Sequence, residues 1–212
     1  MAYDLEEQES IDQMKAWWEK WGTPITTVVC IGCLCFAGWN AWQWWQRKQA
    51  TNAQAVYTEL MIATNNHQEQ NIMSLSQGLI KDYGSTVFAP LGALDAARTQ
   101  ADAGKLEEAK GLLEWVVNQN SFPEYQTIAR LRLATVLMAM KDPKAGLDVL
   151  RADKPNEEEM PLVLDRLGDL YLAAGDVAQA RQSWADALLK TDPRTGLGLL
   201  VETKLSALPA QK

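Results

Sequence analysis

The sequence predicts an all-α chain: one N-terminal membrane-spanning helix followed by a right-handed solenoid of paired antiparallel helices. Three observations carry this. No charged residue stands between Lys20 and Arg47. Beyond that stretch apolar residues keep helical spacing, and nowhere do they alternate with the period of two that a strand requires. Small and apolar residues also recur at intervals of 34 to 37 positions, which marks a repeat architecture.

The span is centred on Ile25-Thr26-Thr27-Val28-Val29-Cys30-Ile31-Gly32-Cys33-Leu34-Cys35-Phe36-Ala37. Its 21 residues from Ile25 to Trp45 cover roughly 31 Å as a helix, matching a hydrocarbon core of about 30 Å. Trp17, Trp18 and Trp21 gather at one end and Trp39, Trp42, Trp44 and Trp45 at the other, where amphipathic rings favour the headgroup level.

We expect this segment to be retained and not cleaved as a signal peptide. Asp4, Glu6, Glu7, Glu9, Asp12 and Glu19 precede it against only Lys15 and Lys20, where a signal peptide carries net positive charge. It is also long for a signal, and Trp42-Gln43-Trp44-Trp45-Gln46-Arg47 offers no small-residue cleavage site. Orientation is open on charge alone, because Lys15 and Lys20 are matched by Arg47 and Lys48.

Within residues 1–22, Ser10 and Gln13 form a capping-box pattern. Ile11, Met14, Trp17, Trp18 and Trp21 share one helical face, predicting a short interfacial helix ended by Gly22. Thr23 and Pro24 then fit as N-cap and first residue of the span over 23–46. Residues 47–66 are expected to continue as a helical stalk, with Ala53, Val56, Tyr57 and Leu60 at helical spacing, and 67–212 to form the repeat domain.

Beyond residue 48 the chain has about 164 residues, enough for a real core, with 16 Lys plus Arg against 21 Asp plus Glu. This acidic balance excludes nucleic acid or an anionic lipid surface as its main partner. All three cysteines lie in the span, so the repeat domain has no thiol for a disulfide, a metal or nucleophilic attack.

In order, Ile72, Leu75, Leu79 and Ile80 mark a helix stopped at Tyr83-Gly84. Ala93–Ala103 is a small-residue helix ended by Gly104. Leu106, Ala109, Leu112, Leu113, Val116 and Val117 give its partner. Tyr125–Met140 follows, and Asp142-Pro143 opens the next helix. Glu157-Glu158-Glu159 reads as the acidic first turn of the helix carrying Leu162–Ala173. Gly175 and Asp192-Pro193 bracket Val177–Leu189, and a last helix over about Pro193–Leu205, weakened by Gly196 and Gly198, caps the array.

Leu167-Gly168-x-x-Tyr171, Gly175, Ala180, Trp184 and Ala187 fall at the spacing of the 34-residue tetratricopeptide pattern. Gly168 and Ala180 let antiparallel helices approach, and Tyr171 and Trp184 are expected to fill the groove to the neighbouring pair. Ala97, Gly104, Ala109, Leu113 and Val116 make a weaker copy, as do Ala134, Leu137, Gly146 and Leu150, and residues 50–84 a degenerate first pair.

The layout, the Ser85–Ala97 segment, Gly104-Lys105-Leu106-Glu107-Glu108-Ala109 and Leu167-Gly168-Asp169-Leu170-Tyr171 together resemble the YfgM-like family of ancillary SecYEG translocon subunits of Gram-negative bacteria. The resemblance implies an inner-membrane protein with a cytoplasmic N-terminus and a periplasmic C-terminal domain. Its implied partners are the Sec translocon, a periplasmic chaperone and exported chains. The same layout would also suit a structural or division-coordinating repeat protein of the cell envelope.

Catalysis is not expected. The domain offers one histidine, His67, in a predicted turn, and Gly196-x-Gly198 lacks the strand and third glycine of a phosphate cradle. No cofactor or metal is predicted. The expected work is non-enzymatic: a concave face lined by the first helix of each pair, holding a segment of another protein. On the repeat frame that groove comprises Leu91, Leu94 and Arg98; Ile128, Leu131, Thr135 and Met138; and Leu162, Asp165 and Asp169.

Overall fold

The computed structural model describes residues 2–152 and 155–209. Its helices are α1 (Ala2–Asn65), α2 (Glu69–Tyr83), α3 (Phe88–Asp102), α4 (Leu106–Val117), α5 (Gln126–Ala139), α6 (Pro143–Arg151), α7 (Met160–Ala173), α8 (Val177–Leu189) and α9 (Gly196–Ala207). A 3-10 turn, Pro123–Tyr125, leads into α5, and no strand occurs among the described residues. The chain divides into two compact units, Met1–Gln49 and Ala50–Lys212.

In the first unit α1 is apolar around its whole circumference: Val28, Val29, Ile31, Leu34 and Phe36 are each more than half exposed. Its most apolar window has a mean hydropathy of 1.5 with none of it buried by protein, so the helix is long and apolar enough to cross a membrane. The side chains of Asp4, Glu6, Glu7 and Glu9 lie outside the described residues.

The helix runs through Gly22-Thr23-Pro24 without the expected break, and Ser10 lies inside it instead of capping it. Pro24 has no N–H to give the carbonyl of Lys20. The threonines that follow bond to the carbonyls beside it: Thr26 Oγ1 donates to Gly22 O at 2.7 Å and Thr27 Oγ1 to Thr23 O at 2.8 Å. Gly22 has a packing role, since a Cβ there would stand 3.0 Å from the Trp18 indole.

In the second unit four helix pairs turn over by the same device. His67, Gly104, Lys141 and Gly175 have φ of 54°, 77°, 64° and 85°. Each donates its N–H to a carbonyl three residues back, on Thr64, Ala101, Met138 and Leu172. The N–H of each following residue reaches five back, to Ala63, Gln100, Leu137 and Tyr171, every time at 2.9 Å. This is the Schellman closure of a helix C-terminus. The four positions lie 37, 37 and 34 residues apart. The last turns of α1 with α2 therefore form a full first pair, where the sequence of residues 50–84 suggests a degenerate one, with histidine standing in the place of glycine.

Inside the pairs, Ala97, Ala134 and Gly168 on the first helices and Ala109, Gly146 and Ala180 on the second are all buried. A Cβ on Gly146 would stand 2.6 Å from Leu170 Cδ2. One core joins Ala53 and Leu60 of α1 to Ile72, Leu79, Ala93, Leu113 and Leu133, and two smaller clusters continue it around Leu170 and around Trp184.

Trp184 meets the following helix as expected and its own partner helix as well. It lies within the α7–α8 pair, against Gly168, and donates from Nε1 to Asp165 O at 3.1 Å. It shares its cluster with Val201 of α9. Three boundaries are also corrected. The small-residue helix begins at Phe88, because Pro90 is accommodated in a first turn. Glu157–Glu159 form a turn ahead of α7, where Asn156 Oδ1 accepts from Glu159 N at 2.9 Å. The last helix starts at Gly196, capped by Thr195 Oγ1 accepting from Gly198 N at 3.1 Å. Gly198 is required there, since a Cβ would stand 2.5 Å from Asp192 O.

Candidate functional site

The first helices of the first three pairs, the end of α1 with α3 and α5, line two cavities that meet at Arg98 and Asp102. The larger, 680 Å³, lies between Met61, Thr64 and Asn65 of α1 and Asp95, Arg98 and Asp102 of α3. The smaller, 290 Å³, lies between Ala97, Arg98 and Ala101 of α3 and Arg132, Thr135 and Val136 of α5. On α3 the polar side chains at 95, 98, 99 and 102 form one helical stripe, and the rest of the helix is small or apolar except for the buried Gln100.

The larger cavity is polar and its charges are partnered. Tyr57 Oη donates to Asp95 Oδ2 at 2.7 Å while its ring packs 5.7 Å from Phe88. Burial, reinforced by the Asp95 carboxylate, pushes the Tyr57 phenol up to about 12, so it stays a neutral donor at physiological pH. Arg98 lies 3.8 Å from Asp102, both well exposed. In the smaller cavity Arg132 crosses from α5 to donate to Leu94 O at 2.9 Å, which fixes its guanidinium beside an apolar lining.

The predicted groove residues separate into three groups. Arg98 and Thr135 come together in the smaller cavity, and Ile128 is exposed on α5. Leu94 is core, 4% exposed. Leu91 is half-buried, and Leu131 and Met138 pack against the Leu170 cluster. Leu162 is exposed on α7, but Asp165 and Asp169 of the same helix are occupied. Lys204 of α9 donates to Asp165 Oδ1 at 2.6 Å and to Asp169 Oδ1 at 2.7 Å. The third segment of the expected groove is thus held by the chain's own C-terminal helix.

Sequence reasoning missed Asp95, Asp102 and Arg132. The polar stripe on α3 was the available signal for the first two. Arg132 had none, because only the packing of α5 on α3 brings it to Leu94. Among the described residues no three of histidine, cysteine, aspartate or glutamate converge as metal ligands. His67 occupies the first turn, and the three cysteines lie exposed on the apolar part of α1.

Comparison with known proteins places this architecture. The family model of the tetratricopeptide repeat-like domain matches residues 15–210. A protein of Neisseria gonorrhoeae named ancillary SecYEG translocon subunit is 29% identical over 98% of this chain and 100% of its own length. Proteins of the same name from Haemophilus influenzae and Escherichia coli are 26% and 24% identical, covering 88% and 95% of this chain and 91% and 96% of their own. Crystal structures of kinesin light chain TPR-like repeats from Podosopora anserina share the fold. Their TM-scores are 0.57 and 0.55 at 18% and 16% identity, over 74% of this chain and 84% and 85% of theirs. An all-helical repeat array behind one apolar helix, matched nearly end to end by such relatives, identifies the chain as a member of the tetratricopeptide repeat-like family and, within it, of the YfgM-like group whose curated members are named ancillary SecYEG translocon subunits.

Proposed function

We propose that the chain is a non-enzymatic, membrane-anchored scaffold that works beside the Sec translocon and passes exported chains on together with a periplasmic chaperone. The observation that carries this is collinearity: relatives of that name match the apolar helix and the repeats together, across nearly the whole of both chains. Residues 1–22 would form the cytoplasmic tail, 23–46 the span, 47–66 the stalk, and 67–212, with the preceding turns of α1, the periplasmic repeats. Tethering supports the reading physically, because a groove held beside a pore acts at an effective concentration on the order of mM and can be weak in solution.

The contact surface in this reading is the Arg98–Asp102–Thr135 part of the groove, since Asp165 and Asp169 are taken by Lys204. A photo-crosslinking amino acid at Arg98 or Thr135, in membranes engaged in export, should capture translocon subunits, exported chains or a periplasmic chaperone. Capture only from positions such as Val28 and Leu34 would move the interaction to the span. Capture of wall or division components at Arg98 would replace this reading with the envelope-structural one. Protease added outside intact spheroplasts should digest the repeats if the domain is periplasmic, and spare them if it is cytoplasmic.

A further inference from the structure

The smaller cavity holds a guanidinium that the fold leaves without an anion. Arg132 is half-buried on α5, and its hydrogen bond at 2.9 Å goes to a neutral group, Leu94 O. No carboxylate pairs with it among the described residues. A cation drawn into a protein is ordinarily matched by an opposite charge, because burial strips its water and a single carbonyl does not replace it. The N–H groups that Leu94 does not take keep access to water, since none of them is both enclosed and unbonded. Arg98 adds a second guanidinium to the same lining, and its 3.8 Å contact with Asp102, exposed on both sides, is an ion pair of little strength. The rest of the wall is Ala97, Ala101, Leu113 and Val136, with Thr135, whose hydroxyl gives its proton to Leu131 O at 2.8 Å.

We propose that this cavity binds a small organic monocarboxylate, with its carboxylate on Arg132 and Arg98 and its hydrocarbon part against the alanines, Leu113 and Val136. A guanidinium presents paired N–H donors that match the two oxygens of a carboxylate. Two arginines against Asp102 leave the lining one positive charge, which a monoanion balances. Inorganic phosphate would leave the apolar wall unmet, and a dicarboxylate would bury its second charge there. At 290 Å³ the cavity lies just under the range of about 300–1,000 Å³ for ligand sites, which suits a short acid. A polypeptide end is a poorer match. The free side-chain donors of the lining are the two guanidiniums, and once a carboxylate takes them the adjoining peptide carbonyl has none. The cavity touches the proposed contact surface at Arg98 and Thr135, but neither its ligand nor the test below rests on the translocon reading.

The test uses the full chain in nanodiscs and terminally trifluorinated butyrate, read by fluorine NMR line broadening against empty nanodiscs. The acid should bind, and its amide at least tenfold more weakly. Arg132→Gln keeps an N–H for Leu94 O but removes the charge, so it should weaken binding at least tenfold with the unfolding midpoint nearly unchanged, and Arg132→Lys should recover part of the loss. Asp102→Asn, which removes the competing carboxylate, should strengthen binding severalfold. Ala101→Leu, which fills the cavity, should abolish it. The proposal is overturned if the acid broadens no more than the amide, or if Arg132→Gln lowers the unfolding midpoint with binding intact, which would leave Arg132 as a tie between α5 and α3 only. Displacement of the acid by an equal concentration of inorganic phosphate would also overturn it, since the site would then seat any anion. So would binding of a peptide that ends in a leucine carboxylate without binding of the free acid, since the site would then read a chain end.

Discussion

Trp184 lies so close on Gly168 that a methyl group at residue 168 would stand 2.3 Å from the indole nitrogen. The indole is 2% exposed and bonded to Asp165 O, so it has nowhere to retreat. Gly168→Ala should therefore destabilise the repeats by about 1–3 kcal/mol, as overpacking of a filled core does. In the double variant with Trp184→Phe much of that loss should be recovered, a coupling above roughly 0.5 kcal/mol in a double-mutant cycle. Denaturant unfolding of the full chain checks it, and additive losses would mean the two residues do not share the space.

The four turns predict opposite effects of glycine. Lys141 holds φ at 64° with a side chain that disfavours it, whereas Gly175 sits at 85° at no such cost. Lys141→Gly should stabilise by about 0.5–1 kcal/mol, the strain relieved exceeding the added freedom of the unfolded chain, and Gly175→Ala should destabilise by about 1 kcal/mol. Shifts of the same sign in thermal unfolding would contradict the shared turn geometry.

Lys204 should act as the clasp of α9. Lys204→Met leaves Asp165, 6% exposed, without its cation and Asp169 with only Arg166 at 3.6 Å, a loss of roughly 2 kcal/mol that falls mainly on Asp165. Hydrogen exchange should then rise over Gly196–Ala207 and stay unchanged over α3 to α5. Charge reversal at Asp165 and Asp169 should release the same helix, so its effect on partner binding reports α9 and not a lost contact. Unaltered protection of α9 in both variants would show that Val201 and Leu205 hold it alone.

Tyr57 gives a pH dependence with a fixed sign. Its phenol binds its proton more tightly folded than unfolded, so its contribution is whole below pH 10 and is lost as pH rises toward about 12. Tyr57→Phe should lower stability by about 1 kcal/mol at neutral pH and flatten the fall between pH 10 and 12. A variant whose alkaline profile is unchanged would show that the Asp95 bond does not survive in solution.

The sequence by itself determined the class of every long element. An uncharged 21-residue stretch flanked by tryptophans cannot satisfy its side chains in water, and Leu167-Gly168-x-x-Tyr171 with Ala180 and Ala187 fixes which helix faces meet. These are local signals, readable because composition and spacing alone decide them. Tertiary structure decided what local signals mislabel. Gly22 and Pro24 look like a helix boundary, yet the helix runs through them, with Thr26 and Thr27 bonded to the carbonyls of Gly22 and Thr23 and Trp18 covering the glycine. His67 stands in a predicted turn but without the glycine that marks a left-handed one, yet it takes the same left-handed conformation as Gly104 and Gly175. Leu94, Asp165 and Asp169 fit the groove by register, but burial takes the first and Lys204, 39 and 35 residues away, takes the others. Register gives the direction a side chain points, and only the assembled chain supplies what it meets there.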